Sequence, residues 1–304
     1  MTVSELGLQQ ILLQGFQSAR DSAEVSQIRL STGDQFQTYS EFGAEAVSLL
    51  SAESIVSRAN AFGRASEIAQ TRSGLIGESL GQITESVLAI QDAITRTLAT
   101  GSAELLTPDI ANETQRIISA LNVEFGGVFL FGGSNGEVPP VAANSLTELS
   151  RLSENGFAFD EGTPISIAIE EGVSVTGGPV ASQVATELFS ALDDFARITD
   201  TLGEFSGNLS TEQLDFAIAF RQRLDGVFDG VSQQVGLNAV SQNVTAEAVT
   251  RNQQRQDFAE IVAADIENTD IAAAIAQLNQ DQLAIEASAQ ALAQATQLSL
   301  LNFI

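Results

Sequence analysis

The stretch from Ile76 to Leu98, IGESLGQITESVLAIQDAITRTL, places Ile76, Leu80, Ile83, Val87, Ile90, Ile94 and Leu98 at alternating steps of four and three. Residues three and four apart lie on one side of an α-helix, so these seven side chains form a single apolar stripe. Covering each with protein contributes about 1.5–3 kcal/mol, enough to dock the helix firmly against other helices. The spacing predicts a helical region from about Gly43 to Thr100 whose second half is plain core, and the architecture it implies is a long rod of packed helices.

The same alternation recurs at both ends of the chain. Leu12, Phe16, Ala19, Ala23, Ser26 and Leu30 form a coiled-coil seam rich in small residues, and Gly33 stands where a helix takes a glycine after its last turn. Thr32 to Phe42 reads as an irregular connection. Near the other end, Asn268-Thr269-Asp270 reads as a break and a fresh helix cap, after which Ile271, Ile275, Leu278, Ile285, Ala289 and Leu292 follow at heptad spacing. Leu298, Leu300, Leu301, Phe303 and Ile304 continue the apolar character. Chain ends are normally solvated, so such residues lead to the expectation that another subunit buries them.

Between these ends the pattern changes twice. Thr107-Pro108-Asp109 reads as a helix start with a capping hydroxyl, and Ile110, Ile117, Leu121 and Phe125 mark its stripe up to Gly126-Gly127. The run GGSNGEVPP, Gly132 to Pro140, is a turn-rich crossover. It lacks the helix start and lysine of a phosphate-binding loop. Ile165, Ile167 and Ile169, then Glu-Glu-Gly, then Val173 and Val175 predict a β-hairpin, with Glu170 and Glu171 as a solvated acidic pair at its tip. Val184, Leu188, Leu192, Phe195, Ile198 and Leu202 predict another helix. Ser210-Thr211-Glu212-Gln213 is a capping box that opens a very long helical stretch with Leu214, Ile218, Leu224, Phe228, Val231 and Val235 as its stripe. Beyond Val235 polar residues crowd in as far as Arg255 and that face weakens.

The fold class is therefore mainly α: a long helical coiled-coil or bundle rod built from both termini, with a small α+β insertion in the middle. The expected organisation is a terminal-helix domain from 1–42 with 256–304, a helical rod from 43–127 with 207–255, and an outward insertion at 128–206. No run of eighteen apolar residues and no basic, apolar leader occurs, which predicts neither membrane insertion nor a cleaved signal peptide.

Composition narrows the function. The chain of 304 residues is 44% apolar, has neither cysteine nor histidine, and all thirteen of its basic residues are arginine. Catalysis near neutral pH relies most on histidine, then on perturbed cysteine or lysine, so no enzymatic role and no catalytic residue is expected. Thiolate and imidazole metal sites are excluded, and no cofactor is expected. A net charge of −26 opposes nucleic-acid binding, which needs clustered cations, and keeps exposed apolar helices soluble until they meet a partner.

Four segments resemble the bacterial flagellin superfamily, and within it the hook-associated proteins of the hook–filament junction. They are NTDIAAAIAQLNQDQLAIEASAQALAQATQLSLLNFI (Asn268 to Ile304), LNVEFGGVFLFGG (Leu121 to Gly133), QRLDGVFDGVSQQVGLN (Gln222 to Asn238) and RLSTG (Arg29 to Gly33). The first is the most specific. QTYSEFGAEA, Gln37 to Ala46, stands where filament subunits carry an acidic segment, and the usual flagellin N-terminal run is absent. Both departures favour a junction protein over a filament flagellin, the nearest alternative; a cytoplasmic helical adaptor is the further one. The resemblance implies an extracellular, flagellar location, export through the flagellar type III apparatus without a cleaved signal, and an export chaperone. It implies as partners copies of the chain, other hook-associated proteins and flagellin subunits. The assembly seams expected are Leu12, Phe16 and Leu30 with Ile271, Ile275, Leu278, Ile285 and Leu292, extended by Leu298, Leu300, Leu301 and Phe303.

Overall fold

A computed structural model describes residues 3–301, with the side chains of all of these but 3–6, 8, 9, 154, 155, 158 and 295–301. The chain is mainly helical: α1 (Val3–Thr32), α2 (Glu45–Thr100), α3 (Leu106–Leu121), α4 (Leu146–Leu152), α5 (Ala181–Leu202), α6 (Thr211–Glu267) and α7 (Ile271–Leu301). Among the described residues the strands are confined to two antiparallel hairpins, β1 (Glu124–Phe125) with β2 (Val128–Phe129) and β3 (Ser166–Glu170) with β4 (Val173–Thr176). Two compact units result, one of residues 1–58 and 255–304 and one of residues 59–254, and the long helices α2 and α6 supply segments to both.

The larger unit is built on the predicted stripe. Ile76, Leu80, Ile83, Val87, Ile90 and Ile94 are all fully buried. They pack in one core with Leu106, Ile110, Ile117 and Leu121 of α3, with Leu188, Leu192 and Phe195 of α5, and with Phe220, Leu224, Val227 and Val231 of α6. α6 runs antiparallel to α2. Arg221 bonds Thr95, Gln91 bonds Asp225, Gln242 bonds the Ser73 carbonyl and Asn252 bonds Ser66, so residue numbers fall on one helix as they rise on the other. The expected α6 stripe holds for Leu224 and Val231, whereas Leu214 and Ile218 are 37% and 42% exposed; the core at that level is made by Ala217 and Phe220.

Past Val235 the seam does not weaken; it changes chemistry. Asn238, Thr245 and Asn252 occupy one heptad position with Val231 and Leu224 and are buried like them. The Asn238 and Gln242 amides both donate to the carbonyl of Ser73 at 2.8 Å, and Asn252 donates to the carbonyl of Ile169 at 2.9 Å. Ser66 donates to that same Ile169 carbonyl at 3.2 Å. A buried polar group is costly unless hydrogen-bonded, and here main-chain carbonyls receive the amide donors, while the Asn238 and Asn252 side-chain oxygens are buried without a partner.

The β3–β4 hairpin is thereby fastened to the two long helices. A bulge interrupts the pairing between Ala168 and Glu170, and Ile169 buries its side chain between Ala69 of α2 and Ala248 of α6. Glu170 departs from the solvated pair expected of it. It is 7% exposed and accepts a hydrogen bond from Arg251 Nε at 2.7 Å. Arg72, also buried, donates from Nε to the Gly177 carbonyl at 2.5 Å and from Nη2 to the Leu130 carbonyl at 2.7 Å, tying both hairpin regions to α2. Burial holds its guanidinium below the ordinary arginine range.

Two helix boundaries differ from expectation. α3 begins at Leu106 with no side-chain cap, and the Thr107 hydroxyl is buried without a hydrogen-bond partner, so it does not act as the cap. The same helix stops at Leu121 and not near Phe125, because Asn122 turns its side chain to pair with the main chain of Val141, at 2.8 Å and 3.0 Å. Phe125 lies instead in β1, before the Gly126-Gly127 turn, whose φ values of +63° and +83° suit the tight hairpin turns that only glycine, asparagine and aspartate readily enter. The Ser210 box forms as read: Gln213 N donates to Ser210 Oγ at 3.2 Å and Ser210 N donates to Gln213 Oε1 at 3.0 Å.

In the smaller unit α1 packs along α7. Gly33 ends α1 at φ +84°, donating to the Arg29 carbonyl at 2.9 Å, and Asp270 restarts the chain as α7 by accepting from Ala273 N at 3.0 Å. The two interruptions are stapled together. Gln35 N donates to the Glu267 carbonyl at 2.7 Å and Thr269 N to the Gly33 carbonyl at 2.8 Å. Phe36 lies 4.9 Å from Phe42, edge to face, and beneath the Arg29 guanidinium. Tyr39, from the same connection, donates to Glu53 Oε1 at 2.8 Å.

Candidate assembly surface

The seam between α1 and α7 is made of small and polar residues. Among the described residues, Ala19, Ala23 and Ser26 are the buried positions of α1, and Ala274 and Asp281 those of α7. Asp281 accepts from Ser22 Oγ at 2.8 Å and from Gln277 Nε2 at 3.0 Å. Side chains this small let two helix backbones approach closely, yet they remove little apolar surface from water.

Of the residues expected to form the seams, Leu12, Phe16, Leu30, Leu278, Ile285 and Leu292 are half-buried. Ile271 and Ile275 turn outward, 60% and 48% exposed. Leu298, Leu300 and Leu301 belong to the last turn of α7, and their side chains lie outside the described residues, as do Phe303 and Ile304 altogether. The structure adds apolar residues that the heptad reading passed over: Ile11 and Val25 on α1, Leu283 on α7 and Phe258 and Ile261 on α6, all between 47% and 69% exposed. The signal that finds them is negative, since each is a large aliphatic or aromatic residue one or more steps off the seam.

Ile271, Ile275 and Leu283 share a row at multiples of four residues, joined by Asn279 and Ala287, which is the inclination of the ridges by which helices interlock. Charge is almost missing from this helix. Asp281 and Glu286 are the acidic residues of Ile271–Leu301, and the segment holds no basic residue, in a chain of net charge −26. A contact between two copies of so acidic a molecule is easiest where neither copy presents carboxylates. The arrangement can do packing chemistry; among the described residues no group of histidine, cysteine, aspartate or glutamate is placed to hold a metal ion.

No protein-family model matches the chain, and no curated protein matches it by sequence. Solved structures do. A protein described as a flagellar hook-associated protein from Vibrio parahaemolyticus superposes with a TM-score of 0.61 at 13% identity, over 75% of this chain and 100% of that one. FlgL from Bacillus cereus superposes with a TM-score of 0.53 at 10% identity, over 71% of this chain and 98% of that one. At such identities the likeness is one of fold, and the fold of this chain is that of the flagellar hook-associated proteins.

Proposed function

We propose that the chain is a structural subunit of the bacterial flagellum, a hook–filament junction protein that assembles through its terminal helices. The observation that carries this reading is the inverted burial of the α1–α7 pair, which encloses Ala19, Ala23, Ser26, Ala274 and Asp281 while leaving Ile11, Val25, Ile271, Ile275 and Leu283 in water. A monomer gains nothing from that arrangement. A row of subunits gains the aliphatic surface at each contact, at about 25 cal/mol per Å² removed from water. The fold likeness to hook-associated proteins supports the same reading.

The partners proposed are further copies, other hook-associated proteins and flagellin subunits, met outside the cell after export that leaves the N-terminal region uncleaved, with a chaperone covering the terminal helices beforehand. The contact joins unlike faces, as ring and tube subunits require. Sedimentation velocity and electron microscopy of the purified full chain test it: the parent forms rings or short tubes that stop growing, and Ile275→Asp or Leu283→Asp leaves a helical monomer. Both positions are exposed, so neither change disturbs the fold of the single chain. Long filaments grown on seeds would move the assignment to a filament flagellin, and parent protein that stays monomeric at high concentration would overturn it.

A further inference from the structure

α3 folds back along α2, with Arg96 Nη2 donating to Asp109 at 3.2 Å, and the two helices border a pocket of about 680 Å³. Its lining is entirely polar. Gln82, Glu85 and Ser86 come from α2 and Asp109, Asn112 and Glu113 from α3, with Arg116 as the one cation among the lining residues.

Two buried polar groups on its wall lack partners among the described residues. Arg116 approaches Glu113 only at Oε1, 3.6 Å away, whereas Glu113 Oε2 is buried and receives no hydrogen bond. Ser86 is 4% exposed, and its hydroxyl bonds no carbonyl of its own helix, unlike those of Thr84 in α2 and Thr114 in α3. Glu85, exposed beside it, has no ion pair among the described residues. A buried carboxylate oxygen is costly to leave without a donor, so an orphaned acceptor and an orphaned hydroxyl on the wall of one cavity mark a place where donors arrive from outside.

The donors called for are cationic. Three acids line the pocket against one arginine, in a chain whose net charge of −26 draws cations to its concave surfaces. A metal ion needs its oxygen ligands within about 2.0–2.6 Å of one point, and the carboxylates do not converge in that way. An ammonium or guanidinium group carries several N–H donors and can meet acceptors that stand apart. We propose that the pocket binds an organic cation of this class, with Glu113 Oε2 and Ser86 Oγ as the inner acceptors and Glu85 as the outer carboxylate. A free polyamine and an arginine or lysine side chain of another protein both carry that chemistry. The site stands apart from the assembly reading, since it lies within the larger unit and uses neither terminal helix.

Isothermal titration calorimetry of the full-length chain with spermidine tests the site. So acidic a molecule attracts polyamines over its whole surface, so the titrations are run at about 0.15 M salt, where long-range attraction is screened. Each variant is compared with Glu187→Gln, which removes one charge from an exposed position of α5. Saturable binding of one spermidine per chain is expected, weakened about tenfold or more by Glu113→Gln and by Glu85→Gln and about threefold or more by Ser86→Ala, while Glu187→Gln stays within about twofold of the parent. Because Glu85 is exposed, its variant reports on the site even where Glu113→Gln disturbs α3. Competition with N-acetyl-arginine amide separates the two sources: displacement of spermidine marks a site that takes a protein side chain, and spermidine binding without displacement marks a site for the free polyamine. Absence of saturable binding by either probe, or weakening by Glu187→Gln as large as that by Glu85→Gln and Glu113→Gln, overturns the proposal.

Discussion

At Gly133 the backbone has φ +59°, and a Cβ there would lie 2.7 Å from the Thr163 carbonyl oxygen and 2.8 Å from that of Gly162. Main-chain atoms cannot step aside, so Gly133→Ala is expected to destabilise the larger unit by roughly 2–4 kcal/mol. Gly74 is the contrast, since it sits in the middle of α2 with nothing within 4 Å of its missing side chain. Gly74→Ala should stabilise by about 0.5–1 kcal/mol through helix propensity alone. Urea denaturation of the two variants side by side checks both signs. Tyr39, the single tyrosine in a chain without tryptophan, provides its own optical signal. Its hydrogen bond to Glu53, and then the nearby carboxylates, hold the phenol pKa above the ordinary tyrosine value. The neutral phenol is the form the fold favours, so this contribution is present below the unfolded-state pKa and is lost as pH rises through the folded one. Absorbance titration should give a midpoint above that of free tyrosine, and Glu53→Gln should bring it down.

At the scale of elements, the capping box of α6 is the simplest test of local sequence logic: Ser210→Ala removes the acceptor of Gln213 N and is expected to cost about 1 kcal/mol in thermal denaturation. That box, the hairpin of alternating Ile and Val, the Gly33 stop and the Asp270 restart were all legible in the sequence, because each depends on residues within a few positions of one another. What stayed hidden depended on distant partners. Thr107 has the side chain of a cap but faces inward, Glu170 looks solvated until Arg251 arrives from α6, and Phe125 fits a helical stripe that Asn122 ends by pairing with Val141. The polar seam is the largest such case. Asn238, Thr245 and Asn252 keep the heptad of Val231, yet a hydropathy pattern registers them as loss of the stripe, since the Ser73 and Ile169 carbonyls that receive the two asparagine amides lie in other elements and Thr245 bonds the Ser241 carbonyl of its own helix. Asn252→Ala should therefore loosen the β3–β4 hairpin from the helices, seen as faster amide exchange in Ser166–Glu170 than in the parent.

For the whole molecule, the apolar residues divide by destination. In the larger unit most of the large apolar side chains form one core: the stripe from Ile76 to Ile94 lies with Phe131, Phe189 and Phe195. In the smaller unit the fully buried positions of the α1–α7 seam among the described residues are alanine, serine and one aspartate, while Ile11, Val25, Ile271, Ile275 and Leu283 face out. A seam that buries so little apolar surface stabilises its helices weakly, since most of a helix's stability in a protein comes from packing an apolar face. In the proposed assembly neighbouring subunits supply most of what holds the terminal helices, and their stability is then expected to depend on protein concentration. Hydrogen exchange of Val3–Thr32 and Ile271–Leu301, followed in dilute monomer and in assembled protein, tests this most directly. Exchange within seconds in the monomer and protection by several orders of magnitude on assembly is the result expected; terminal helices already as protected in the dilute monomer as the core of α2 would contradict it.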